Sequence, residues 1–178
     1  MNEQFVVPSL GNCRIQSPLP LSTSSEEDNF RFVEDSQRIL YQATFNDLNQ
    51  HELFGGDSPI SFEAAGPRAM TFFDPSKVRA GIVTCGGLCP GINNVIRALV
   101  MQMYHNYGVR RIYGFRYGFQ GFIPKYRHDI MELTPDSVVN IHHQGGSILS
   151  SSRGPQDIGE IVDCLDRHTI KILFCIGG

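Results

Sequence analysis

Tryptophan is missing from this 178-residue chain, which leaves its aromatic content to twelve phenylalanines and six tyrosines. Long apolar runs are missing too: none approaches the roughly 20 residues that a membrane-spanning helix needs. The opening MNEQFVVPSLG has neither a basic start nor an apolar stretch of signal-peptide length, so a cytoplasmic protein is expected. There is no excess of positive charge, with 15 Lys and Arg against 18 Asp and Glu, net −3. That balance supplies no global attraction to nucleic acid or to an acidic membrane, and neither is expected as a partner. Cysteine is scarce and odd in number: Cys13, Cys85, Cys89, Cys164 and Cys175. An odd set in a chain of this length does not read as a disulfide framework, and reduced, mostly buried thiols are expected. Cys85 and Cys89 stand in a C-x3-C spacing, but no second Cys/His pair matches it, which argues against zinc.

What is present divides into two parts. Residues 1–75 read as an N-terminal extension, partly irregular. Its stretch SPLPLSTSSEEDNF is polar and proline-bearing, without sustained periodicity, and reads as loop. RFVEDSQRILYQ sets Phe32, Val33, Ile39 and Leu40 among charges and suggests a short amphipathic helix. FEAAGPRAMTFFDPSKV reads as irregular or extended. Residues 76–178 are patterned more sharply. AGIVTC is a short β-branched run of the kind found in buried strands. Ile92, Val95, Ile96, Leu99 and Met103 then form one helical stripe, running to about Tyr107 with Gly108 as its C′ residue. RRIYGF suggests a second strand, DIGEIVDCLDRH a second helix with a stripe of Ile158, Ile161, Val162 and Leu165, and IKILFCIGG a third strand. Strands alternating with helices predict an α/β fold, a mainly parallel sheet with helices on both faces. Ligands of such sheets sit at the carboxyl ends of the strands.

The turn between the first strand and its helix is GGLCPG, Gly86 to Gly91. A strand that runs through glycines into a helix gathers free backbone N–H groups at the positive end of the helix dipole. Glycine also lets a phosphate approach where a Cβ would obstruct it. A tight βα turn with no ligand would use the same residues. The turn matches neither G-x-x-x-x-G-K-[ST] nor G-x-G-x-x-G, so neither standard nucleotide motif decides between the two.

GIVTCGGLCPGINNVIR, YGFRYGFQGF, NIHHQGGSILSSSRGPQD and ILFCIGG, in that order and spacing, resemble the 6-phosphofructokinase family. VTCGGLCPG with SSRGPQD is most similar to the branch of plant and trypanosomatid ATP-dependent enzymes, itself related to the pyrophosphate-dependent ones. The resemblance is dense from about Phe62 to Gly178 and implies a phosphofructokinase-like N-terminal domain, incomplete at its C-terminal end. It implies that Gly86, Arg153, Gly154 and Gly178 bind the phosphoryl donor: Gly86 and Gly178 through backbone at the phosphates, Arg153 and Gly154 as the pair that holds the nucleotide. A guanidinium offers planar, charge-assisted donors to phosphate oxygens, although a lone arginine is ordinarily solvated surface. Phe119 stands where many family members place a tyrosine against the base; stacking on the base and packing under the turn are both open to it.

The implied reaction is phosphorylation of fructose 6-phosphate to fructose 1,6-bisphosphate, with ATP as donor and Mg²⁺ as cofactor, in an enzyme that is usually a homo-oligomer. Pyrophosphate as donor, and a noncatalytic nucleotide-binding subunit, are the alternatives. The catalytic aspartate and the metal-binding aspartate of the family are expected beyond Gly178, so the 178 residues alone are expected to be an inactive part of a longer enzyme. His142-His143 reads as no joint ligand, because neighbours in sequence do not share a face. Arg110, Arg111, Arg116, Lys125 and Arg127 read as solvated surface, with recruitment of anionic sugar phosphates as the other reading.

Overall fold

The computed structural model describes residues 7–22, 31–41 and 60–177. The chain divides between Phe72 and Phe73 into two compact units. Within the first, short antiparallel pairs form between β1 (Ile15–Gln16) and β4 (Met70–Thr71) and between β2 (Arg38–Leu40) and β3 (Ser61–Glu63). The helix expected from RFVEDSQRILYQ is absent; Arg38–Leu40 is extended and pairs with Ser61–Glu63 instead. Its apolar residues come in two pairs separated by the five polar residues Glu34 to Arg38, and Ile39 and Leu40 remain exposed, so no continuous helical stripe existed to be buried. Arg68 ties this unit together, donating to the carbonyls of Ala64 and Glu34 and pairing with Asp35 at 3.3 Å. Of the stretch SPLPLSTSSEEDNF, residues 23–30 lie outside the described residues.

The second unit is built on a four-stranded sheet in the order β7-β6-β5-β8. β5 (Arg79–Thr84) lies between β6 (Arg111–Phe115) and β8 (Ile172–Ile176), parallel to both. β7 (Ile130–Glu132) pairs antiparallel to β6 at the edge. The expected parallel core is therefore present, with one antiparallel strand added. β5 is buried from Ala80 to Thr84, and its middle is apolar, because both faces are covered. On one face Ala80 and Ile82 pack with Ile112 and with α1 (Ile92–Met101), the short helix α2 (Pro135–Val138), Leu133 and Leu149. On the other, Val83 packs with Phe115, Phe122 and Cys164 of α3 (Ile158–Arg167). A Cβ on Gly81 would stand 2.9 Å from the Phe115 ring and 3.0 Å from Leu173, so the strand has a glycine where the aromatic core of that face presses closest.

α1 differs in detail from the stripe that announced it. Ile92, Ile96 and Met103 are buried as expected, but Asn93 and Val100 are buried with them and Val95 is 45% exposed. The helix widens to a π turn over Gln102–Asn106 before Gly108 ends the segment at φ +73. The stripe of α3 is rotated as well. Cys164 is the buried residue, flanked by the partly buried Ile161 and Leu165, while Ile158 is 76% and Val162 49% exposed. Asp157 caps the helix by accepting from the Glu160 N–H at 2.9 Å. The thiols are free, but they are not mostly buried: Cys85 and Cys164 are, whereas Cys13, Cys89 and Cys175 are exposed.

From β5 the chain runs through α1 to β6 on one side, while β8 lies on its other side, reached later through α3 on the opposite face. The carboxyl end of β5 is thus where the order of the sheet reverses, the position at which open α/β sheets form a crevice.

Candidate functional site

That crevice is made by loops joined through uncharged hydrogen bonds. β5 ends at Thr84, whose buried hydroxyl meets the Ser147 hydroxyl at 2.9 Å and donates to the Ser150 carbonyl. Cys85 N–H donates to the Ile176 carbonyl at the end of β8, 2.9 Å away. Gly86 turns the chain at φ +75; its carbonyl accepts the Ser151 hydroxyl at 2.6 Å, and its N–H faces the Ser152 carbonyl at 3.4 Å. The glycine turn and the stretch 147–152 are thereby joined along their length, and Arg153 and Gly154 follow at once.

Two non-glycine residues support the joint in left-handed backbone, Tyr117 at φ 61 and Ser150 at φ 57, a conformation that tends to collect at functional sites. Tyr117 N–H donates to the Leu149 carbonyl at 2.7 Å. Beside it, a Cβ on Gly118 would stand 2.8 Å from Ser152 Oγ and 3.0 Å from Ser152 N. The GFQGF turn therefore packs directly behind SSRG, and its glycine is what admits the approach.

On the open side the backbone is bare. Gly87, Gly91 and Gly154 have no heavy atom within 4 Å of where a Cβ would be, and Gly87 to Gly91 are exposed. Gly91 leads into α1 at φ +90, and no side chain caps the helix. The N–H groups of its first turn thus face the crevice without a side-chain partner, and the dipole adds partial positive charge. Arg153 is exposed and forms no ion pair or hydrogen bond among the described residues. Together these groups can receive a multiply charged oxyanion.

Of the residues singled out from sequence, Gly86, Arg153 and Gly154 come together here. Gly178 lies outside the described residues; its neighbour Gly177 is in the crevice, at φ +91 against Cys85. The orientation of Gly86 assigns it more to shaping the turn than to offering its N–H, and the unobstructed backbone begins at Gly87, which the sequence reading passed over. Asn93 was missed as well; its burial 2% from full enclosure was hidden behind the apolar stripe. Phe119 is partly buried against the second core, its ring 6.2 Å from that of Phe122.

In the basic cluster Arg110, Arg111, Lys125 and Arg127 are exposed, as expected, and Arg116 is half-buried. Arg110 lies over the Tyr104 ring at 4.0 Å and Lys125 over Tyr126 at 4.8 Å, while Arg116 leans toward Tyr117 at 5.4 Å. His142 and His143 bring their rings within 3.8 Å in a one-turn segment, yet no grouping of three His, Cys, Asp or Glu suited to a metal occurs among the described residues. In the crevice wall, burial first and the neighbouring Cys175 second push the Cys85 thiol up to about 11, which keeps it neutral.

The phosphofructokinase family profile matches residues 79–178, the second unit almost end to end. The chain is 48% identical over 169 residues to an ATP-dependent 6-phosphofructokinase of Amycolatopsis methanolica, covering 95% of this chain and 36% of that protein. It is 40% identical over 179 residues to the ATP-dependent 6-phosphofructokinase of Trypanosoma cruzi, covering 89% and 37%. The crystal structure of Pichia pastoris phosphofructokinase in the T-state superposes with a TM-score of 0.51 at 25% identity, over 58% of this chain and 11% of that one. The chain thus spans little more than a third of the length of these curated relatives. A glycine turn at the carboxyl end of β5, SSRG laid against it, and a matched profile over the same residues agree: the chain belongs to the phosphofructokinase family.

Proposed function

We propose that the crevice holds the phosphates of ATP and that the whole protein transfers the terminal phosphoryl group to fructose 6-phosphate, giving fructose 1,6-bisphosphate. The observation that carries this reading is the bare backbone from Gly87 to the uncapped start of α1, set beside Arg153 by the Gly86–Ser152 joint. Phosphoryl transfer is mainly positioning and charge stabilisation, and these groups supply both on the donor side. Arg153 and Gly154 hold the nucleotide, Gly86 shapes the turn at its phosphates, and Gly178 continues the same backbone wall. ATP is favoured as donor because the relatives in Amycolatopsis methanolica and Trypanosoma cruzi are named for it.

Magnesium dependence, a cytoplasmic setting and a homo-oligomeric state belong to the same proposal, on the strength of the family resemblance. Among the described residues no group of three or more His, Cys, Asp or Glu that could hold a metal occurs. No helix among them is long and apolar enough to cross a membrane.

A coupled assay on the complete enzyme tests the reading, with fructose 6-phosphate and either ATP or pyrophosphate. Turnover with ATP supports it; turnover with pyrophosphate alone reassigns the donor; no turnover with either overturns the kinase assignment.

A further inference from the structure

The stretch Gln144 to Gly154 carries glycine at 145, 146 and 154, and a Cβ at Gly145 or Gly154 would have nothing within 4 Å. Such a segment has little stiffness of its own, yet it must present Arg153 to the crevice in one register. Its near end is held by a single side chain. Asn93, in the first turn of α1 and 2% exposed, donates from Nδ2 to the Gln144 carbonyl at 3.0 Å and accepts the Ile148 N–H at Oδ1, 2.9 Å away. Both ends of one amide are thus used on backbone more than 50 residues away in sequence, astride the two glycines. The far end is held by the bonds of Thr84 and Gly86 to residues 147–152.

We propose that Asn93 is a positioning residue for donor binding: it fixes the 144–148 loop to the same helix whose N-terminus faces the phosphates, so that Arg153 and the helix end are set at one spacing before the donor arrives. The proposal rests on the phosphoryl-donor reading of the crevice. Asparagine is suited to the task because it offers a donor and an acceptor from one planar group. Aspartate keeps the acceptor for Ile148 but turns the contact with the Gln144 carbonyl into a repulsion between two acceptors. Leucine, close in size, keeps neither bond.

The test is steady-state kinetics of the complete enzyme carrying Asn93→Asp or Asn93→Leu, with hydrogen exchange followed over residues 144–153. The expected result is a rise in KM for ATP of roughly tenfold, the size of one lost net hydrogen bond, while KM for fructose 6-phosphate stays within about twofold of the parent. Exchange over 144–153 is expected to quicken in both variants, and in Asn93→Asp to quicken more at Gln144–Gly146 than at Ile148. Unchanged KM for ATP in folded variants, or equal loss toward both substrates, overturns the proposal. Failure of the donor reading itself is distinguishable, because then the parent enzyme shows no ATP-dependent turnover at all.

Discussion

Gly177 lies directly over the Cys85 carbonyl: a Cβ built on Gly177 would overlap that oxygen and come within 3.5 Å of the carbonyl carbon. The two residues follow the last register pair of β8 and β5, Ile176 with Thr84, so the strands stay in close contact where the crevice begins.

Replacement of Gly177 by alanine therefore meets both a clash and an unfavourable φ of +91. Chemical denaturation of the complete enzyme should show a loss of about 1–3 kcal/mol. Parent-like stability would mean that the ends of the two strands are free to move apart.

The glycine turn separates shape from binding. Gly86→Val forces a β-branched residue to φ +75, and should lower both thermal stability and activity. A Cβ at Gly87 would meet nothing within 4 Å, so Gly87→Val should leave the melting temperature within a few degrees. Its side chain would occupy the approach of the phosphates, so KM for ATP should rise by at least about tenfold. Parent kinetics in Gly87→Val would move the phosphates away from this turn.

Arg153 is exposed and makes no partner contact among the described residues, so its removal should not unfold the protein. Arg153→Ala should reduce kcat/KM for ATP by about 10- to 100-fold, in line with a hydrogen bond to a charged group. Arg153→Lys should recover only part of it, because a point charge cannot make the planar two-point contact.

Thiol chemistry reports on the same crevice. Cys89 is exposed in the turn and should be alkylated by iodoacetamide in the native enzyme, more slowly when ATP is present. Cys85 should stay unlabelled: with its pKa raised from 9.0 to about 11, its thiolate fraction near pH 8 is about a hundredfold below that of an ordinary thiol. Because the folded thiol holds its proton more tightly than the unfolded one, this contribution to stability is whole below pH 9 and is lost as pH rises from 9 toward 11. Labelling of Cys85 before Cys89 would contradict the arrangement.

Periodicity and turn chemistry were sufficient to place β5, α1, β6, α3 and β8 as elements, because each carries an apolar run or stripe that packs at least in part against the core. They misled where burial was decided by hydrogen bonding. Asn93 is enclosed and Val95 left exposed because the amide is needed by two distant backbone groups, which no local pattern records. In the first unit, Ile39 and Leu40 looked helical by composition but are extended through pairing with a strand 20 residues later. At the site, the motif pointed to the turn that the structure joins to SSRG, while the choice between Gly86 and Gly87 depended on which N–H already had a partner.

The joints described at the crevice, from Asn93, Thr84, Ser147 and Ser151, are all made by neutral groups. Dissolved ions, which weaken attraction between exposed charges over a Debye length of about 8 Å in physiological saline, have little purchase on such joints. Raising ionic strength should therefore leave the contour of the cradle intact and act on capture of the anion, chiefly through Arg153.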